Sequence, residues 1–146
     1  MSEKPCLLPY PRVLQLDDGL LRLPPGGRVD MPDEMIPSLR CGLDALRGEL
    51  EGCGISWQVG QSGDEEPALS ITNTGTADDQ PEGFELEVGP SSLILKCGDT
   101  AGAFYGLRAI QQLVRQYGPI LPVMRIRDWP DFRARGIMLD ISRDKV

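Results

Sequence analysis

The stretch Arg135-Gly136-Ile137-Met138-Leu139-Asp140-Ile141-Ser142-Arg143-Asp144 is apolar through its middle and ends in a cluster of charges. Polar groups at the C-terminal end of a buried parallel strand are where α/β barrels and open α/β sheets assemble ligand sites, because the strand is fixed and the side chains beyond it face the opening. Asp140 and Arg143 are therefore the candidate site residues. The plainer alternative is a surface loop after a core strand, with Asp140 and Arg143 as a solvated ion pair worth little. An aspartyl-phosphate role for Asp140 is disfavoured, because Ser142 stands in place of a neighbouring second Asp and no Lys-bearing phosphate loop accompanies it.

Two other groups invite a chemical reading and do not support one. Gly98-Asp99-Thr100-Ala101-Gly102-Ala103-Phe104-Tyr105-Gly106 has the look of a phosphate-cradling loop at a helix start. It lacks the Gly-Lys-Thr/Ser ending and the dinucleotide spacing, so glycines that let a helix approach a sheet are the better account. Glu82, Glu85 and Glu87 read as the wet side of a strand rather than an acid/base pair. The chain has no histidine, which excludes Ser-His-Asp and Cys-His mechanisms within it and leaves carboxylates, Arg, Lys and Tyr for any chemistry. Cys6, Cys41, Cys53 and Cys97 lie far apart without metal-ligand spacing, so thiols are expected and no metal or cofactor.

The net charge of −7 argues against nucleic acid, whose binding needs a basic stripe to neutralise phosphates. No apolar run approaches the ~20 residues that span a bilayer, and Met-Ser-Glu-Lys-Pro-Cys has no signal-peptide pattern. The expectation is a soluble, cytoplasmic protein without a membrane partner.

The positioning elements follow from periodicity. Val13 to Leu16 and Leu20 to Leu23 flank Asp17-Asp18-Gly19, which predicts a hairpin. Arg28 to Asp30 suits a short strand. From about Asp33 to Glu51, Leu39, Leu43, Leu46 and Leu50 fall on one face of a helix, with Pro37 in its first turn and Gly52-Cys53-Gly54 as its stop. Ile55, Trp57 and Val59 alternate, as do Leu69 and Ile71, so both segments are half-buried strands. Phe84, Leu86 and Val88, then Leu93 to Lys96 across Gly89-Pro90-Ser91-Ser92, predict an antiparallel hairpin over residues 83 to 97. Asp99 or Thr100 caps a second helix whose stripe is Ala103, Leu107, Ile110, Val114 and Tyr117, ended by Gly118-Pro119.

These elements describe an α+β fold: a mostly antiparallel sheet with two helices packed on one face, followed by a linker and one extra strand. Residues 1 to 124 carry 9 basic and 18 acidic side chains and residues 125 to 146 carry 6 and 4, which places a boundary between them. Pro122 to Pro130 reads as an extended linker, and Arg135 to Ser142 as one more strand.

Three segments together resemble family 20 glycoside hydrolases, the β-N-acetylhexosaminidases: Gly83-Phe84-Glu85-Leu86-Glu87-Val88, the run Ala101 to Leu113, and the run Ile126 to Arg143. Their order and spacing both match, and the likeness is specific over residues 83 to 146. The resemblance implies that residues 1–124 are a non-catalytic accessory domain and that residues 125–146 begin a (β/α)8 barrel. Arg143 would then hold sugar hydroxyls with its forked donors, and Asp140 would help orient that site.

Family 20 enzymes remove terminal N-acetylhexosamine with retention, the substrate's own acetamido oxygen attacking while a Glu acts as acid and an adjacent Asp orients the acetamido group. That pair belongs to a later barrel strand, so the implied activity lies in a longer parent and not in residues 1–146. The implied partners are the downstream barrel and an N-acetylhexosaminide. Asp144 occupies a position after Ser-Arg where the family often has His. The competing class is a stand-alone carbohydrate-binding or protein-interaction module, against which the scarcity of Trp and Tyr counts.

Overall fold

The computed structural model describes residues 4–60, 64–75 and 80–139. Strands β1 (Val13–Arg22) and β2 (Gly26–Asp30) lead through a short 3-10 turn (Asp33–Met35) into helix α1 (Ile36–Gly52). Strands β3 (Ser56–Val59), β4 (Leu69–Asn73), β5 (Phe84–Val88) and β6 (Leu93–Cys97) follow, then helix α2 (Thr100–Tyr117) and strand β7 (Ile120–Asp128). The seven strands form one sheet in the order β1-β7-β5-β6-β4-β2-β3.

The fold is α+β as expected, and the sheet is mixed. Its β1-β7-β5-β6 half is antiparallel, whereas β4 runs parallel to β6 and β2 runs parallel to both β4 and β3. The β2/β3 pair has a direct cause: α1 carries the chain from the end of β2 back to the start of β3, a crossover that makes these two strands run the same way. Alternating apolar residues look the same in either orientation.

One face of the sheet carries both helices. In β5 and β6, Phe84, Leu86, Val88, Leu93, Leu95 and Cys97 are buried, while the residues between them are half-buried or exposed. Leu39, Leu43, Leu46 and Leu50 of α1 are all buried, as are Ala103, Leu107, Ile110 and Val114 of α2. Each leucine so buried contributes about 1.5–3 kcal/mol relative to exposure. Small residues set the spacing: a Cβ on Gly42 would lie 3.1 Å from the Phe104 ring, and one on Gly106 would lie 2.3 Å from Leu95 Cδ1. Gly42 therefore offsets its poor helix propensity by letting α1 and α2 touch.

Two expected elements are corrected. Val13–Leu16 and Leu20–Leu23 are not a hairpin. Both runs belong to β1 or its immediate end and pair with the same partner, β7, through Leu16↔Met124 and Leu20↔Pro122. Asp17, Asp18 and Gly19 stand opposite Val123 alone, so the turn-forming residues make a bulge, with Gly19 at φ 119. Pro122 cannot donate to the ladder, and it lies where β7 pairs with β1 but β5 has ended.

Nor is Pro122–Pro130 a linker. Most of it is β7, held between β1 and β5, so the charge shift after residue 124 falls inside a strand. Over Arg135–Leu139 the chain forms no strand, and Ile137, Met138 and Leu139 are 90%, 93% and 83% exposed. The rest of the expected strand lies outside the described residues.

Candidate functional site

Arg143 and Asp140 also lie outside the described residues, so their geometry is not part of the picture. The structure instead draws polar and aromatic groups together where the chain leaves β7. Gln112 of α2 exchanges two hydrogen bonds with Leu8, donating to its carbonyl at 3.0 Å and accepting from its N–H at 2.9 Å. Gln116, one turn on, accepts from the Cys6 N–H at 3.0 Å. The N-terminal segment is thus laid along α2, and between it, α2 and residues 129–135 runs a groove of about 840 Å³ that includes Tyr10, Phe104, Tyr105, Trp129 and Phe132.

The exit segment is fastened at two points. At the first, two guanidinium groups lie over the Trp129 ring, Arg12 at 4.7 Å and Arg127 at 5.3 Å from its centroid. Arg12 also donates through Nε to the Trp129 carbonyl at 3.0 Å and pairs with Asp131, and its backbone N–H reaches Asp128 at 3.3 Å. At the second point, Arg135 donates to Glu82 at 2.9 Å, to the Tyr105 hydroxyl at 3.2 Å and to the Phe132 carbonyl. The Glu82 hydrogen bond, then that of Tyr105, raises the Arg135 pKa above its already high ordinary value, so the cation is permanent.

The groups that receive Arg135 are themselves built in. Asp99 caps α2: its Oδ1 accepts from the Gly102 N–H at 2.7 Å, and its Oδ2 accepts from the Glu82 N–H at 2.8 Å. The carboxylate therefore fills the helix N-terminus, and a phosphate has no vacancy there. Gly102 lies so close to Gly83 that a side chain at Gly102 would part the loop before β5 from the first turn of α2. Glu82 has φ 58, an uncommon conformation for a residue with a side chain.

Glu85 and Glu87 point to the sheet face opposite the helices, where the register sets Glu85 beside Lys96 and Arg127, and Glu87 beside Arg125. They form a half-buried cross-strand charge pattern on β5 rather than an acid/base pair. Glu82 is different, being drawn to Arg135 across 53 positions. Sequence reading missed this role, and that of Arg12, because no local pattern announces contacts over such separations. The Trp129-Pro130 step was the one local sign of a special exit.

A family model described as glycosyl hydrolase family 20, domain 2, matches residues 4–129. The chain belongs to that family. The match covers β1 to β7 and stops at the tryptophan clasped by Arg12 and Arg127. Among relatives, N,N'-diacetylchitobiase of Vibrio harveyi is 37% identical over 62 residues, 42% of this chain and 7% of its own length. Beta-hexosaminidase of Vibrio vulnificus is 24% identical over 138 residues, 94% of this chain and 15% of that protein. The X-ray structure of a chitobiase from Flavobacterium johnsoniae aligns with TM-score 0.65 at 27% identity, covering 93% of this chain and 22% of that one.

The family 20 domain described here thus spans a small part of the length of its relatives. The segments that resembled the family at the outset now have physical roles: Gly83 and Gly102 meet at the corner, Gly106 seats α2 on Leu95, and Arg127, Trp129 and Asp131 form the exit clasp. Among the described residues no helix is long and apolar enough to cross a membrane.

Proposed function

We propose that this domain is the non-catalytic N-terminal unit of a longer β-N-acetylhexosaminidase that removes terminal N-acetylhexosamine by substrate-assisted, retaining hydrolysis. The observation that carries the reading is the family 20 domain 2 match over residues 4–129, with the Arg-Gly-Ile-Met-Leu-Asp-Ile-Ser-Arg segment following it. In this reading residues 1–124, extended by the rest of β7, are the accessory domain, and the segment beyond begins the (β/α)8 barrel. Arg143 holds sugar hydroxyls through its forked donors and Asp140 orients that site.

The acid and the acetamido-orienting carboxylate come from the barrel. Two Asp-Glu steps, Asp33-Glu34 and Asp64-Glu65, do occur among the described residues, but both are exposed at a surface turn or loop. Neither is enclosed as a general acid must be to hold its proton near neutral pH. All four cysteines are thiols, which favours a reducing compartment, the cytoplasm, as the place of action.

The test is hydrolysis of a chromogenic N-acetyl-β-glucosaminide by two proteins. The purified 146-residue chain is expected to be inactive, and the product of the uninterrupted reading frame that contains it is expected to be active with retention. Turnover by the 146-residue chain, or a reading frame with no barrel-length continuation bearing an adjacent Asp-Glu pair, overturns the reading.

A further inference from the structure

Residues 129–135 belong to the folded domain without belonging to any strand or helix, and both of their anchor points are made by side chains. The second anchor is the more informative. Arg135 is the last residue before Gly136, Ile137, Met138 and Leu139, where nothing lies within 4 Å of a Cβ built on Gly136 and the next three side chains are largely exposed, so it marks where the fold releases the chain.

The receptor for its guanidinium is held from three sides. Asp99 fixes the Glu82 amide, Gly83 is packed against Gly102, and Tyr105 stands nearly two turns along α2 from the Asp99 cap. Glu82 keeps a left-handed backbone conformation that a glycine would adopt without strain, which is understandable if its carboxylate is needed at that spot. An isolated pair at this exposure would contribute little to stability, so stability is a poor explanation for so much support.

We propose that Glu82 and Tyr105 are positioning residues: by binding the Arg135 guanidinium they fix the direction in which the chain leaves the domain towards Asp140 and Arg143. The proposal rests on the family 20 reading given above, since a fixed exit matters most when a catalytic strand follows. Arg12 and Trp129 set the position of the exit segment, and Glu82 and Tyr105 set its direction. Two points separated along the chain define a line, which a single contact does not.

The first arm of the test needs no activity. In the 146-residue chain, backbone amide order parameters at Asp131, Phe132 and Arg135 are expected near the rigid value of about 0.85, falling below about 0.6 in the Glu82→Ala/Tyr105→Phe double variant. Those of β5 and β7, and the melting temperature, should stay unchanged. Exchanging the charges with Glu82→Arg/Arg135→Glu is expected to recover most of the lost order. Low order at these residues in the parent chain, or no change on substitution, overturns the proposal.

The second arm uses the barrel-bearing protein and the chromogenic N-acetyl-β-glucosaminide. There the double variant is expected to lower kcat/KM by about threefold or more, because small misplacements of binding groups are costly. An unchanged kcat/KM, or a loss that merely follows a fall in melting temperature, overturns the positioning role. Absence of turnover in the parent barrel-bearing protein would count against the family 20 function instead, and the order parameters would still decide whether the exit is held by Glu82 and Tyr105.

Discussion

Gly102 and Gly83 are in backbone contact: a Cβ on Gly102 would lie 2.0 Å from the Gly83 carbonyl oxygen, so α2 enters the domain pressed against the chain leading into β5. Backbone cannot step aside as a flexible side chain can. Gly102→Ala is expected to cost about 3 kcal/mol or more, at or beyond the upper end of overpacking effects. Gly48→Ala, at an exposed α1 position with nothing within 4 Å of the new Cβ, is expected to stabilise by about 0.5–1 kcal/mol. Urea unfolding of the two variants checks the contrast, and equal effects would show that the contact is not tight.

Asp99 serves two backbone donors that are far apart in sequence, Glu82 N–H and Gly102 N–H. Asp99→Ala is expected to cost about 2 kcal/mol, above an ordinary N-cap, because the second donor is stranded as well. Asp99→Asn can still accept at one oxygen and should recover part of the loss. Amide exchange at Glu82 and Gly102 measures the two bonds separately, and both should quicken in the alanine variant.

Glu49 of α1 accepts from Arg115 and, at 3.3 Å, from Gln111, joining the two helices at the surface. The Arg115 hydrogen bond, set against some desolvation and aided by Gln111, holds the Glu49 carboxyl below its ordinary value. A lowered folded-state pKa gives stability that is fully present above the unfolded value of about 4.3 and is lost as pH falls through the folded value. Solvent screens this pair, so the contribution is small. Unfolding curves of the parent and Glu49→Gln should therefore differ at pH 7, converge in acid, and converge at 1 M salt. A difference that persists in acid would exclude the ion pair as its source.

If Arg143 holds the sugar through its forked donors as proposed, Arg143→Ala in the barrel-bearing protein should weaken binding and turnover together, by about 2–5 kcal/mol in kcat/KM. Steady-state kinetics with a chromogenic N-acetylglucosaminide are the measurement. Unchanged kinetics would remove Arg143 from the site.

The elements readable from sequence are those whose evidence is local. Leu39, Leu43, Leu46 and Leu50 declare α1 within four turns, and Ala103 to Tyr117 declare α2, because a helical stripe repeats within a few residues. Phe84 to Cys97 declares a hairpin for the same reason, both strands and their turn lying in one short window. The glycines of α2 were legible as packing residues, although which atoms they approach was not. Asp140 and Arg143 were picked out by residue type and by resemblance alone.

What the tertiary structure decided are the pairings between distant segments. Val13–Leu16 and Leu20–Leu23 look like two strands around a turn until β7, about 100 residues away, is seen to bind both, and only that partner turns Asp17-Asp18-Gly19 into a bulge. Pro122–Pro130 looks like a linker because its prolines and arginines weaken the local signal, yet β1 and β5 supply ladders on both sides of β7. Arg135 meets Glu82 and Tyr105 only because α2 and the loop before β5 are fastened by Asp99 and two glycines. Periodicity records which face of an element is apolar, and so the sequence by itself determined α1, α2 and the β5–β6 hairpin with their buried sides, but neither β1 as one strand nor β7 as a strand. The choice of neighbour depends on the free energy of joining segments far apart in the chain, a sum over the whole core that no local window contains.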